Sequence, residues 1–194
     1  MRLFTALWPP PEVTAGLAAE LDGHPDWPPE GWRPVPSEDW LVTLHVHGAA
    51  EPGVLARRLE SAAVGLAAPA LRMAGVVSFG GVAALRVLPS GTADADALAA
   101  LVLAAGGDPA GFRGHITLAR TSRRRDAPPA RGPLATHRGP WWRPAEVCLA
   151  YSELGVGQPR YAVLHRVPLA VPLAVPLGEA PRHAAPSRSA SAGG

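Results

Sequence analysis

Hydrophobic and polar residues alternate along several short stretches of the chain. In residues 114–120, Ile116 and Leu118 alternate with His115 and Thr117, a period of two that is typical of a half-buried strand. If the apolar pair faces the core, His115 and Thr117 lie together on the opposite face, roughly 7 Å apart along the strand. Alternating patterns like this one, or short apolar runs, predict further strands over residues 3–8, 40–47, 71–77, 82–88, 146–152 and 161–167.

Other stretches have helical spacing. Val13, Leu17 and Leu21 recur at i, i+4 and i+8 after Pro11, a residue suited to the first turn of a helix. Further helices are predicted over residues 51–66 and from residue 92 to about residue 105. The order of strands and helices predicts an α+β fold with antiparallel or mixed sheets, and loops over residues 24–39 and 122–144.

Composition limits the class of protein. The 194 residues favour one domain, and the apolar fraction of 47% is sufficient for a sizeable core. The net charge of +2 does not indicate a protein that coats nucleic acid, although all 18 basic residues are arginines, which suit phosphate recognition. The single cysteine, Cys148, excludes an internal disulfide framework. With no signal peptide and no apolar run of membrane-spanning length, we expect a soluble, cytoplasmic protein.

A partial repeat links two distant strands. When Thr43-Leu44 is aligned with Thr117-Leu118, Leu41 falls opposite His115. The segment before the first strand, Arg33-Pro34-Val35-Pro36, and a closing hairpin that includes Arg160-Tyr161 complete the pattern. The chain thereby resembles the 2H phosphoesterases, in particular the bacterial 2′-5′ RNA ligase-like group of RNA 2′,3′-cyclic phosphodiesterases. That family carries two His-x-Thr motifs, of which the first is degenerate here.

The resemblance implies two pseudo-symmetric lobes that flank a central cleft, with helices on the outside. It covers residues 1–168, and the remaining residues 169–194 form a tail rich in proline, alanine and serine that we predict to be disordered. We also expect a monomer without membrane contact. The resemblance implies that it binds RNA ends or nucleotides that carry a 2′,3′-cyclic or 2′-5′ phosphate.

The family chemistry is metal-independent hydrolysis without a cofactor. Water attacks the phosphorus while the 2′ oxygen leaves, one histidine accepts a proton and the other donates one. By resemblance, His115 is the catalytic histidine of the second motif, Thr43 and Thr117 are the phosphate donors, and Arg120 binds the phosphate. An isolated His-x-Thr pair also occurs on ordinary surface strands, so the surrounding segments carry this assignment.

Leu41 is the departure from the family pattern. Leucine carries no titratable proton, and loss of one acid–base group typically costs about 10²–10⁴ in rate. The predicted function is therefore a phosphoric diester hydrolase with impaired or altered activity, and the alternative is an inactive protein that binds nucleotides or RNA ends. Simple alternation would place residues 41, 43, 45 and 47 on one face, which makes His45 a candidate substrate contact. His45 lies about 13 Å along the strand from residue 41, too far to replace the histidine without a rearrangement. A divergent enzyme that acts on a new substrate and uses His45 is a third hypothesis.

Three other features have two interpretations each. His45 and His47 have the spacing of a metal-binding pair, but no third ligand is evident nearby, so no metal is predicted. Residues 123–125 are three arginines, either a solvated loop or a contact to an RNA backbone. Trp141-Trp142 either covers the edge of a core or stacks on a base.

Overall fold

The computed structural model describes residues 2–121, 133–153 and 160–171. The predictions made for residues 122–132 (the three arginines included), 154–159 and 172–194 lie outside these ranges.

The strands are β1 (Arg2–Leu7), β2 (Arg33–Pro34), β3 (Val42–Gly48), β4 (Leu71–Phe79), β5 (Val82–Pro89), β6 (His115–Arg120), β7 (Glu146–Glu153) and β8 (Arg160–Pro168). They form two four-stranded sheets with the orders β3-β1-β7-β8 and β2-β6-β5-β4. All pairings between the named strands are antiparallel, and the α+β class is confirmed.

The helices lie where the apolar spacing predicts them. The α-helices are α1 (Pro11–Asp22), α2 (Pro52–Ala63), α3 (Thr92–Ala104) and α4 (Pro133–Thr136), and a short 3₁₀ helix covers Ser37–Asp39. Helix α2 contacts β7 and β8 of the first sheet, whereas α3 contacts β3 of the first sheet and β5 of the second. In the described part of the chain, no helix is long and apolar enough to cross a membrane.

One hydrophobic core joins the two sheets. Leu7 and Leu149 reach it from the first sheet, Leu85 and Ile116 from the second, and Leu101 from α3, and all five are fully buried. Each such side chain contributes about 1.5–3 kcal/mol when it leaves water. Because successive strand residues point to opposite faces, the reverse faces of β3 and β6 remain free to form a cleft.

The proline-rich stretch before β3 connects the two sheets. Residues 24–39 were predicted as a loop, yet they contain β2, which pairs with β6 through Arg33–Arg120 and Pro34–Ala119. The Val35 amide also donates to the Leu118 carbonyl at 2.8 Å. A proline is tolerated there because β2 is the edge strand of its sheet, where the missing N–H interrupts no second strand pairing. The chain that enters β3 of the first sheet is therefore held against β6 of the second.

The packed part of the chain continues past residue 168. Leu169 is buried, and its amide donates to the Ala145 carbonyl at 3.0 Å. The Ala170 amide donates to the Leu66 carbonyl at 2.9 Å. Disorder of the remaining tail stays a prediction.

We predict that Trp40→Phe destabilises the fold. Trp40 is buried at the entry to β3, and its indole Nε1–H donates to the Val35 carbonyl at 2.9 Å. The substitution leaves that buried carbonyl without its donor, and we expect the free energy of unfolding to fall by about 1–3 kcal/mol in urea denaturation. Trp141→Phe is the control, since Trp141 is exposed and should change stability by less than about 0.5 kcal/mol. Equal effects of the two substitutions would contradict this role of Trp40.

Candidate functional site

The two motif strands, β3 and β6, belong to different sheets and contact each other. The pairing of β3 with β1 has two register shifts, one that leaves His47 as an extra residue and one that follows Thr43. On β1, the neighbours Ala6 and Thr5 pair with Thr43 and His45, so Leu44 is an extra residue in the pairing. A bulge of this kind changes which side chains face a given side of the sheet.

Strand β6 has a bulge at the equivalent position. Ala84 pairs with Thr117 and the preceding Ala83 pairs with Ala119, which leaves Leu118 as the extra residue. In both strands the extra residue is therefore the leucine that follows the threonine of the repeat. The two leucines that the sequence alignment places opposite each other are thus both extra residues in the pairing of their strands.

The bulges decide which residues face the cleft. Under strict alternation, Arg120 would point away from Thr117, because three positions separate them. With the extra residue at Leu118, Arg120 lies on the same face as Thr117 and His115. The corresponding residue of β3 is Val46, which lies on the same face as Thr43. A basic residue and an apolar one therefore occupy equivalent places in the two strands.

A cavity of about 420 Å³ lies between the motif strands. It brings together Leu41 and Thr43 from the first motif and Arg120 from the second. Arg2 of β1 and Tyr161 of β8 also line it. This cavity joins a hydroxyl donor and two cations with an apolar wall, a combination suited to a phosphate that carries an organic group.

Leu41 belongs to the apolar wall of this cavity. It is 9% exposed and packs in a small cluster with Phe4 and Ala150, against which Tyr161 is also packed. The Phe4 and Tyr161 rings meet edge to face with centroids 5.3 Å apart. At the position equivalent to His115 the chain therefore has a packed hydrophobic cluster.

His115 is half-buried at the start of β6, and its ring is oriented by two neighbours. Its Nδ1 lies 2.8 Å from the Arg113 carbonyl, which can only accept, so Nδ1 carries the hydrogen and Nε2 points elsewhere. The Phe79 ring stands edge to face against it at 5.1 Å. His115 lines a second cavity of about 740 Å³, together with Arg86 and Arg113. Thr117 lies between His115 and Arg120 along the strand, and neither Thr117 nor His115 lines the cavity of about 420 Å³.

Arginines are concentrated on the face of the second sheet that carries the motif. Arg33 on β2 pairs directly with Arg120 on β6, and Arg86 on β5 pairs directly with His115. Like charges placed directly opposite each other destabilise a sheet. Among the described residues, neither Arg33 nor Arg120 has an acidic partner within salt-bridge distance. A bound anion would relieve this repulsion.

His45 does not lie on the cleft face. The prediction that residues 41, 43, 45 and 47 share one face is wrong, because the bulge at Leu44 interrupts the alternation. His45 and His47 line a separate cavity of about 60 Å³ with Thr5 and Arg58, on the reverse side of β3. The expected contact between His45 and a substrate in the cleft therefore loses its geometric basis.

The two histidines on the reverse side form a small polar cluster. Their rings are 4.9 Å apart, and His47 Nε2 is 2.8 Å from the Thr5 hydroxyl. Burial, the His45 ring and the Arg58 guanidinium together lower the pKa of His47. Across the described ranges, no group of three metal-ligating side chains converges here or elsewhere.

The sequence matches no family model and no curated protein. Solved structures share its architecture. TT0787 of Thermus thermophilus has a TM-score of 0.65 and 26% identity, over 87% of this chain and 97% of that one. Escherichia coli LigT in complex with NADP+ has a TM-score of 0.64 and 23% identity, over 87% and 97%. A protein described as a phosphoesterase has a TM-score of 0.57 and 22% identity, over 87% and 98%.

The chain has the LigT fold. This confirms, at the level of the fold, the resemblance to the 2H phosphoesterases and the arrangement of two sheets around a cleft.

Three residues that line the cleft of this LigT fold were not predicted from the sequence. Arg2, Ser152 and Tyr161 form one row across β1, β7 and β8, because Ser152 pairs with both of the others. Arg33 and Tyr161 were noted only as parts of the segment that precedes β3 and of the closing hairpin, without a role in the site. Their roles depend on cross-strand register between segments far apart in sequence, for which the sequence contains no local signal.

The two adjacent tryptophans have different environments. Trp142 is buried, and its backbone pairs with that of Leu71, which agrees with the interpretation as a core edge. Trp141 is 41% exposed and lies under the Arg72 guanidinium at 4.4 Å. Neither lines the cavity between the motif strands.

The histidine cluster behind β3 predicts a pH dependence of stability. Because the folded-state pKa of His47 is lowered from 6.5, its contribution is fully present above about pH 6.5 and is lost as the pH falls towards the folded-state value. We expect His47→Gln to reduce the loss of unfolding free energy between pH 7.5 and 5.5, measured by urea denaturation at each pH. His24→Gln is the control and should retain the slope of the unaltered protein. An unchanged slope in His47→Gln would contradict the assignment.

Proposed function

We propose that this chain is a 2H phosphoesterase of the RNA 2′,3′-cyclic phosphodiesterase type, which hydrolyses a cyclic or 2′-5′ phosphodiester. The observation that supports the proposal is the pair of matched bulges, since they place Arg120 on the face of Thr117, and Thr43 and Arg120 line one cavity. Three hydrogen-bond donors of this kind are suited to the developing charge on phosphoryl oxygens. As the family resemblance implies, the reaction needs no metal and no cofactor.

His115 is the proposed proton carrier. Its Nδ1–H is engaged by the Arg113 carbonyl, which fixes the tautomer with an unprotonated Nε2 when the ring is neutral. In that state Nε2 can accept a proton from an attacking water, and once protonated it can return it. The backbone contact thus presets the ring for proton transfer without a carboxylate partner.

The arginines supply the proposed phosphate contacts. Arg120 and Arg2 line the cavity, and Arg33 lies beside Arg120 on the adjacent strand. Guanidinium groups bind phosphate oxygens in a bidentate geometry, and an anion between them would remove the like-charge repulsion. A nucleotide or RNA end is the proposed ligand class, and this inference is supported by LigT structures with NADP+, phosphate, ATP and 3′-AMP. A cytoplasmic monomer is part of the same proposal.

A second candidate function is binding without turnover. The packed cluster of Leu41, Phe4 and Ala150 favours it, because the position of the first histidine has become part of the hydrophobic wall. Such a protein would retain the contacts to phosphate and present an apolar surface to a base or ribose. Substitutions at the two motif positions, His115 and Leu41, therefore distinguish hydrolysis from binding without turnover.

We predict that His115→Ala abolishes most hydrolysis of a 2′,3′-cyclic nucleotide. Removing the proton carrier should lower kcat by about 10²–10⁴, measured by chromatographic detection of the nucleoside monophosphate. His24→Ala is the control, because His24 lies in the loop after α1 and lines neither the cavity at His115 nor the cavity at Arg120. Turnover that is equal in the unaltered protein and His115→Ala would exclude the hydrolase and favour the binding function.

We predict that Leu41→His increases turnover. An imidazole at this position restores the second acid–base group, and the rate should rise by at least about 10-fold if the rest of the site is competent. Burial of a polar ring in the Leu41 cluster will lower stability, so the thermal midpoint is measured in parallel. A folded Leu41→His protein without any gain would show that another element of the site is lost, whereas nucleotide binding by calorimetry would still test the second function.

A further inference from the structure

Loss of the first histidine leaves one proton transfer unassigned. Hydrolysis of a phosphodiester needs a group that accepts the proton of water and a group that protonates the leaving ribose oxygen. His115 serves one of these roles in the proposed function. Leu41 cannot serve the other, and the bulge at Leu44 directs His45 to the reverse side of β3.

The side chains around Leu41 leave few candidates for this transfer. Arg2 and Arg120 stay charged at all accessible pH values, so they cannot donate a proton to the leaving oxygen. The aliphatic hydroxyls of Thr43 and Ser152 are not among the side chains that ionise in proteins. Of the described residues that line this cavity, Tyr161 alone carries a proton that acid–base chemistry can move.

Tyr161 is held in a suitable place. It lies on β8 in the row that continues through Ser152 to Arg2, and its ring meets Phe4 edge to face at an interplanar angle of 76°. It packs against the same cluster that contains Leu41. Within the described part of the chain, no hydrogen bond of its hydroxyl to a side chain or backbone group is formed.

We propose that Tyr161 is the catalytic proton donor that replaces the missing histidine, an inference that rests on the proposed function. His115 Nε2 accepts a proton as the water oxygen forms its bond to phosphorus. The bond from phosphorus to the ribose oxygen breaks, and the Tyr161 hydroxyl transfers its proton to that oxygen. The product is a phosphate monoester, and solvent returns the proton from the imidazolium to the phenolate, so the step needs no other reactant.

The two proton carriers come from different sheets. His115 is on β6 of the second sheet, and Tyr161 is on β8 of the first. Displacement at phosphorus places the attacking and leaving oxygens roughly in line, on opposite sides of the phosphorus. In this proposal the leaving oxygen faces Tyr161 in the cavity that Thr43 and Arg120 line, and the attacking water approaches from His115, on the same face of β6 as Arg120.

The test compares two tyrosine variants in hydrolysis of a 2′,3′-cyclic nucleotide. Tyr161→Phe removes one oxygen atom and keeps the ring against Phe4, so the fold should persist, which circular dichroism and thermal melting check. We expect kcat to fall by about 10²-fold while KM changes by less than about threefold. Tyr151→Phe is the matched control, because the Tyr151 hydroxyl bonds to Glu153 outside the cavity. It should retain the native kcat.

Repeating the Tyr161→Phe substitution in the Leu41→His variant separates a catalytic role of Tyr161 from a structural one. In Leu41→His, the new imidazole takes over the proton transfer, so adding Tyr161→Phe should lower kcat by less than about threefold. The pH profile also changes, since a phenol keeps its proton to higher pH than an imidazolium does. The alkaline limb of kcat should therefore lie at higher pH in the unaltered protein than in Leu41→His.

The outcomes distinguish this inference from the proposed function. Turnover that His115→Ala abolishes but Tyr161→Phe leaves unchanged would overturn the role of Tyr161 alone. An equal loss from Tyr161→Phe in both backgrounds would also overturn it, because a structural role does not depend on residue 41. Absence of turnover in the unaltered protein would overturn both proposals.

Discussion

The site depends on two matched β-bulges, one directly after the threonine of each motif strand. Each inserts one extra leucine, Leu44 or Leu118, directly after a threonine. The residue after that leucine therefore faces the side of the sheet opposite to the one that strict alternation would give it. Arg120 is thereby directed to the face of Thr117, and His45 is directed away from that of Thr43. The extra leucine after each threonine thus changes which side chains line the cleft, while both leucines remain in the shared core.

The charge distribution of the cleft follows from this geometry. Arg33 and Arg120 are direct cross-strand neighbours, and Arg2 lines the same cavity as Arg120. Their positive charges are not balanced by acidic residues of the described chain, although the net charge of the whole protein is only +2. Local concentration of one sign in a concave site favours an anion far more than the overall charge suggests. This is why a nearly neutral protein can be suited to phosphate.

Leu41 contributes to hydrophobic packing at a position where the family motif has a titratable side chain. A histidine there would need a polar environment, whereas leucine extends the contact among Phe4, Ala150 and Tyr161 and stabilises the first sheet on its cleft side. In the proposed function, Leu41 stands where the family motif has a proton carrier, whereas Thr43 and Arg120 still line the cavity. Ligand binding and proton transfer thus depend on different residues in this proposal. The phenol of Tyr161, which packs against the cluster of Leu41, is the proposed substitute for the missing proton carrier.

The sequence by itself determined the elements and their class. Apolar periods of two and of three to four predicted the strand at His115 and the helix through Leu17, because these patterns reflect burial on one side of a local element. The repeat of Thr43-Leu44 and Thr117-Leu118 predicted two related strands. Only the tertiary structure decided the faces after each bulge, the pairing of Arg33 with Arg120 and the position of Tyr161. These features depend on register between distant segments, which hydrogen bonds across the sheet set and which no local pattern of residues records.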